Sequence, residues 1–174
     1  MKIAYVVTRA DAVGGASIHV RDLASEMRAR GHQAMVFVGG EGPVTDQLKA
    51  FGVLYHPLKF LTRSIHPVRD AKAFGELSSE LRRFGPDLVS THTAKAGWIG
   101  RGACARLRLP VVYTPHGWPA GDRFPPIGRR LFAAAERVAS RWTSAIVCVS
   151  EYERNLALSK RLARPEQLVV VHNG

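Results

Sequence analysis

Acidic residues and cysteine are both scarce in this chain: 14 aspartates and glutamates face 25 lysines and arginines across 174 residues, and there are two cysteines. Cys104 and Cys148 stand far apart in apolar segments, with no metal-ligand spacing around either. That excludes a disulfide scaffold and points to buried reduced thiols in a cytoplasmic protein. The amino-terminal apolar run, Ile3 to Val7, is far shorter than the roughly 20 residues of a membrane span and leads to no small-residue cleavage site. The chain also lacks a Gly-x-Gly-x-x-Gly fingerprint, a P-loop lysine and a Gly-x-Ser-x-Gly elbow. Dinucleotide binding of the usual kind, P-loop phosphate transfer and serine hydrolase chemistry are thereby disfavoured. Its histidines lack helical pair spacing for zinc, so no metal site is expected, and no cofactor is expected either. No repeat, low-complexity tract or internal linker interrupts the sequence.

The shortage of acids leaves a formal charge of +11. Such an excess favours an anionic partner, whether a phospholipid surface, nucleic acid or a phosphorylated substrate, without choosing among them. The arginines recur along the chain, including Arg21, Arg82, Arg101, Arg106, Arg130 and Arg137. They read first as the solvated faces of amphipathic helices. They lack a recognition motif with interleaved aromatics, which argues against specific nucleic-acid binding.

What the chain has in quantity is alternation. Strand-length apolar runs at Ile3 to Thr8, Ala34 to Val38, Val53 to His56, Leu88 to Thr91, Val111 to Thr114, Ala145 to Val149 and Leu168 to Val171 are interleaved with helix-period segments. The helices are expected at Ala16 to Arg30, Thr45 to Phe51, Pro67 to Phe84, Ala94 to Arg106, Ile127 to Trp142 and Glu151 to Lys160. This order predicts an α/β fold, a doubly wound and mainly parallel sheet of about seven strands with a Rossmann-like layout. With 46% apolar residues, the whole of residues 1–174 is expected to form one domain around one core. Ser150 with Glu153 forms a capping box, and Gly31 and Gly85-Pro86 close helices. The last strand runs to the end of the chain with no closing helix, which suggests a domain cut from something longer.

In an open parallel sheet, ligands bind beyond the carboxyl ends of the strands. Four features fall there. Gly14 and Gly15 follow the first strand and open a helix, where free amides and the helix dipole suit a phosphate, although a ligand-free tight turn explains two glycines equally well. Thr91-His92-Thr93 ends the fourth strand, and Lys95 then sits in a helical first turn against the dipole, a conflict that an anion would relieve. His116 leaves the fifth strand between Pro115 and Gly117, placed to bond a sugar hydroxyl or phosphate and, with an ordinary pKa, to exchange a proton near neutrality. The loop from Trp118 to Pro126 offers exposed aromatics for a cleft wall, a partner or a membrane. The basic, amphipathic helix from Ile127 to Trp142 reads either as an ordinary surface helix or as one that rests on an anionic bilayer. His19 reads as a half-buried packing residue.

Taken in order, Gly14-Gly15-Ala16 with His19 and Leu23, Gly31-His32, Thr91 to Gly97, Thr114-Pro115-His116-Gly117, Val149-Ser150-Glu151 and Val171-His172-Asn173-Gly174 resemble the amino-terminal half of a bacterial glycosyltransferase of family four, one half of a GT-B fold. The resemblance implies an acceptor-side domain that faces a carboxyl-terminal nucleotide-sugar domain absent from this chain. It implies a nucleoside diphosphate sugar as donor, transfer with retention and no essential metal. Gly14 and Gly15 would approach the donor diphosphate, His116 would contact the transferred sugar as the catalytic residue, and His92, Lys95 and Trp118 are acceptor-side candidates. The expected acceptor is a glycan or lipid-linked molecule in cell-envelope polysaccharide synthesis, with the protein peripheral at an anionic membrane surface and the fragment inactive by itself. A nucleotide-sugar epimerase half and a basic nucleic-acid-binding α/β domain are the alternatives.

Overall fold

A computed structural model describes residues 1–118 and 126–172. The described residues form seven strands and six α-helices in strict alternation: β1 (Lys2–Val7), α1 (Gly15–Ala29), β2 (Gln33–Gly39), α2 (Pro43–Ala50), β3 (Leu54–Leu58), α3 (Pro67–Phe84), β4 (Leu88–His92), α4 (Ala94–Leu107), β5 (Val111–Thr114), α5 (Pro126–Ser140), β6 (Ala145–Cys148), α6 (Glu151–Ser159) and β7 (Leu168–Val170). Every pair of neighbouring strands is parallel. The strand order is β3-β2-β1-β4-β5-β6-β7, so the winding reverses between β1 and β4. The expected layout holds, and the sheet is wholly rather than mainly parallel.

The strands are apolar throughout because both faces are covered. Alternate side chains of β1 enter different cores: Ala4 and Val6 join Phe37, Leu77 and Leu81 on one face, while Ile3, Tyr5 and Val7 join Val20, Val36 and Leu48 on the other. A third core around Tyr113, Trp118, Phe132 and Ile146 serves the β5 to β7 side. Pro57 is tolerated in β3 because that strand is at the edge, where a missing amide leaves a ladder position open to solvent.

Local punctuation sets the helix ends. Gly31 adopts φ 83° and Gly85 φ 64°, the left-handed conformation that closes α1 and α3. The Ser150 hydroxyl accepts from the Glu153 amide at 3.2 Å, and the Glu153 carboxylate accepts from the Val149 amide at 3.0 Å. Among the described residues no helix is long and apolar enough to cross a membrane.

One arginine departs from the expected solvated faces. Arg101 on α4 is fully buried, forked onto the fully buried Glu136 of α5 with N···O distances of 2.9 and 2.8 Å. Its Nε donates to the Gly97 carbonyl at 2.9 Å, and its guanidinium lies 4.0 Å above the Tyr113 ring. The charge is internal because α4 lies flat on the sheet, turning this side chain toward α5 instead of water.

Candidate functional site

The winding reversal opens a crevice at the carboxyl ends of β1 and β4, with the turns after those strands at its rim. A cavity of about 1050 Å³ lies there, lined by Gly14, Gly15, Thr93, Lys95 and His116 together with Gly128, Leu131, Phe132 and Ala135 of α5. The glycine turn and the two histidine-bearing strand ends therefore share one edge. A Cβ added at Gly14 or Gly15 would meet no protein atom within 4 Å. Gly14 has an extended backbone, so what its small size leaves there is open space at the head of α1. The Ser17 hydroxyl folds back on Gly14, accepting from its amide and donating to its carbonyl, both at 2.9 Å. The first amides of a helix have no intrahelical acceptors, so this end of α1 offers donors and a positive dipole end to an anion.

The rim is under backbone strain at two ordinary residues. Thr93 adopts φ 71° and His116 φ 52°, conformations that side chains with a Cβ rarely take. Thr93 is held by a 2.6 Å hydrogen bond between its hydroxyl and that of Thr8, which also accepts from the Ala96 amide and so caps α4.

Three histidines from three elements meet behind the rim. His92 is fully buried, with Nε2 2.9 Å from the Ser90 hydroxyl and Nδ1 3.0 Å from Nε2 of His116. His92 and His116 stack at 5.3 Å, and His19 places its ring edgewise to His116 at 5.1 Å. Burial pushes the His116 pKa down to about 4, with His19 adding to the effect. Burial likewise lowers His92 well below the usual histidine value, helped by His116 and His19, and lowers His19. The near-neutral proton exchange expected of His116 is therefore corrected: the imidazole is neutral at physiological pH and works as a hydrogen-bonding group. Ligand atoms of the three rings lie within 4.8 Å of one another, a donor set suited to a borderline divalent transition metal such as zinc or nickel. To share one ion, His92 and His116 would have to give up their mutual hydrogen bond.

The remaining sequence candidates are placed less simply. Lys95 points its ammonium at Asp70 of α3, 2.6 Å away, and also donates to the Ser64 carbonyl. The anion that relieves its conflict with the α4 dipole is thus the protein's own carboxylate. Trp118 is 7% exposed rather than on a cleft wall, with its indole N–H donating to the Glu153 carbonyl at 3.1 Å. It is drawn inward because Tyr113 and Phe132 offer edge-to-face partners. His92 also belongs to the interior, behind His116. The rest of that loop, 119–125, lies outside the described residues, as do Asn173 and Gly174.

Sequence reasoning did not assign His19 to the site. It lies on an apolar helical face, and only the helix's placement across β1 brings it to His92, with ring centroids 5.7 Å apart. The role of Thr8 as a cap for α4 was equally hidden, since the two are 88 residues apart.

Comparison with known proteins gives a consistent picture. The family model described as Glycosyltransferase Family 4 matches residues 13–174. A curated Escherichia coli protein, UDP-Gal:alpha-D-GlcNAc-diphosphoundecaprenol alpha-1,3-galactosyltransferase, is 28% identical over 138 residues, covering 76% of this chain and 34% of its own length. The crystal structure of Anabaena HepE in complex with UDP superposes with a TM-score of 0.79 at 22% identity, over 100% of this chain and 44% of that one. UDP-GlcNAc 2-epimerase from Neisseria meningitidis, bound to UDP-GlcNAc, gives 0.71 at 16% identity, over 98% and 45%. The chain thus spans about a third of the curated relative and less than half of the structural ones.

Proposed function

The chain belongs to Glycosyltransferase Family 4, and from that premise we propose that residues 1–174 are the acceptor-side domain of an enzyme moving a sugar from a nucleoside diphosphate sugar to a lipid-linked or polysaccharide acceptor of the cell envelope, with retention of configuration. The observation that carries this reading is the single cavity shared by the α1 amino terminus and His116. A donor laid across it would meet the Gly14–Gly15 turn with its diphosphate and His116 with its sugar. Departure of the nucleoside diphosphate puts negative charge where the α1 amides stand, in a cavity also lined by Arg9 and Arg63, which lowers the barrier electrostatically.

The chemistry of the cavity supports retention. An inverting reaction needs a base on the acceptor hydroxyl, and His116, with a pKa of about 4, is a weak one. Among the described residues the cavity lining contains no carboxylate. A retaining route in which the leaving phosphate takes the acceptor proton asks for no such group in this domain. His92 acts through His116 by holding its Nε2, and Lys95, already paired, shapes the α3 to α4 wall.

The likeness to UDP-bound HepE supports a UDP-sugar donor, and the galactosyltransferase relative supports a lipid-diphosphate acceptor. A lipid-linked acceptor places the protein, as a peripheral cytoplasmic enzyme, at the membrane face. The complementary nucleotide domain is expected on a longer chain. The test is donor turnover: full-length protein with UDP-sugars and a lipid-diphosphate acceptor should release UDP and form a product with the donor's anomeric configuration, while residues 1–174 should not turn over. An inverted product, or robust turnover by residues 1–174, would overturn the reading. Conversion of UDP-GlcNAc to an epimer without acceptor would transfer it to the epimerases, whose likeness here is one of fold.

A further inference from the structure

The trio of His19, His92 and His116 has the dimensions of a coordination site. Its rings come from α1, the end of β4 and the turn after β5, and one nitrogen of each lies within 4.8 Å of the other two. A tetrahedral ion with metal–nitrogen bonds of about 2.0 to 2.1 Å keeps its ligand nitrogens about 3.3 to 3.4 Å apart. Nδ1 of His92 and Nε2 of His116 already face each other at 3.0 Å. An ion would need that pair to open by only about 0.3 to 0.4 Å. His19 has farther to come, about 1.5 Å at most for the same bond length, and its half-buried side chain can turn about its own bonds to cover it.

The hydrogen bond between His92 and His116 has to be surrendered, and the fold provides for that. In the bond one nitrogen carries a proton and the other accepts it, whereas an ion needs both lone pairs. The proton must therefore pass to the far nitrogen of its ring. On His92 that nitrogen is Nε2, 2.9 Å from the Ser90 hydroxyl, which accepts a proton donor as readily as it donates. A tautomer change is all that coordination asks of His92, and no proton is released. A ligating histidine held from behind by a hydrogen-bond acceptor is the usual arrangement at transition-metal sites. His116 is the one ring of the three that lines the large cavity, so an ion enters past it, and three protein ligands leave a fourth position for water.

We propose that His19, His92 and His116 form a site for one divalent transition metal ion of the zinc and nickel class, and that the ion inhibits sugar transfer by taking His116 away from the donor. Nε2 of His116 is the nitrogen turned toward His92, so coordination locks the ring inward, against contact with a sugar in the cavity. The ion is thus an inhibitor and not a cofactor. Binding stands on the three rings alone; the inhibition rests on the transferase reading above.

The experiment is titration of the untagged chain with cobalt chloride, followed by the visible absorption of low-coordinate cobalt, with zinc chloride then displacing it. One ion per chain should bind, and zinc should raise the thermal midpoint, since it binds the folded state. His19→Gln and His116→Gln should each weaken binding by more than about 100-fold, and Ser90→Ala by about 10- to 100-fold, the cost of losing an outer partner. His92, fully buried, is left in place so that folding is not at stake, and circular dichroism checks the other variants. His32→Gln with His172→Gln, which removes two exposed histidines elsewhere, should leave the titration unchanged. Absence of the cobalt band in the wild type, or equal affinity in His19→Gln, would overturn the site. Equal affinity in Ser90→Ala would overturn the tautomer change. In the full-length enzyme zinc should raise the donor KM with kcat unchanged, and His19→Gln should abolish that effect. A fall in kcat at constant KM would overturn the competition for His116. Failure of sugar transfer would leave the cobalt titration untouched, so the two readings fail separately.

Discussion

The neutrality of His116 follows from where its ring is kept. Unfolded histidine titrates near 6.5, whereas His116 in the fold is pushed down to about 4 by burial and by His19. Between those values the unfolded chain binds protons that the folded chain refuses, so the stability contributed by the neutral ring is full above about pH 6.5 and is lost as pH falls toward 4. His92 and His19 shift in the same direction. Thermal midpoints recorded from pH 7 to pH 5 should therefore fall more steeply for the wild type than for His116→Gln; parallel curves would contradict this account. In the full-length enzyme, His116→Ala should lower kcat by about 100-fold, the usual cost of losing one preorganised hydrogen-bonding group at a developing charge. His92→Leu should lower kcat with KM little changed, since it frees the orientation of His116 without touching a ligand. A kcat equal to wild type in either variant would remove that residue from the machinery.

Helix α4 illustrates how an element's sequence anticipates its packing. Its small residues let it lie against the sheet, and a Cβ added at Gly97 would press into the ring of Tyr113. Alanine there gains about 1 kcal/mol in helix propensity. Overpacking a filled core costs about 1 to 3 kcal/mol, and Arg101 and Trp118 already pin Tyr113 from other sides. Gly97→Ala should thus be destabilising, readable as a lower urea midpoint. The same helix carries Arg101 into its buried pair with Glu136, which also accepts from the Trp98 indole at 2.5 Å. Glu136→Ala strands a buried guanidinium and should cost about 3 to 5 kcal/mol. Replacing both partners with apolar residues should cost far less, and a denaturation series on single and double variants decides the point.

At the scale of the molecule, three cores are joined by one continuous sheet, so they should melt together. Far-ultraviolet circular dichroism, which follows all helices, and tryptophan fluorescence, which includes Trp98 and Trp118 of the third core, should give coincident thermal transitions. An earlier fluorescence transition would show the β5 to β7 side to be a separate unit. The alternating pattern of strands and helices, their boundaries to within a few residues and the sheet's parallel sense were all legible in the sequence. They depend on hydrophobic periodicity and on capping, which are local. Gly14, Gly15 and His116 were legible as residues at strand ends for the same reason. The inward turn of Trp118, the buried charge of Arg101, the Asp70 partner of Lys95 and the convergence of His19, His92 and His116 were not. Each depends on contacts between segments distant in sequence, and on a burial that resets side-chain charge. The chain's own order of residues determined its layers and the edge at which a ligand could bind. The tertiary structure alone decided which groups stand on that edge with a free valence, because desolvation and pairing are settled only when separate elements pack.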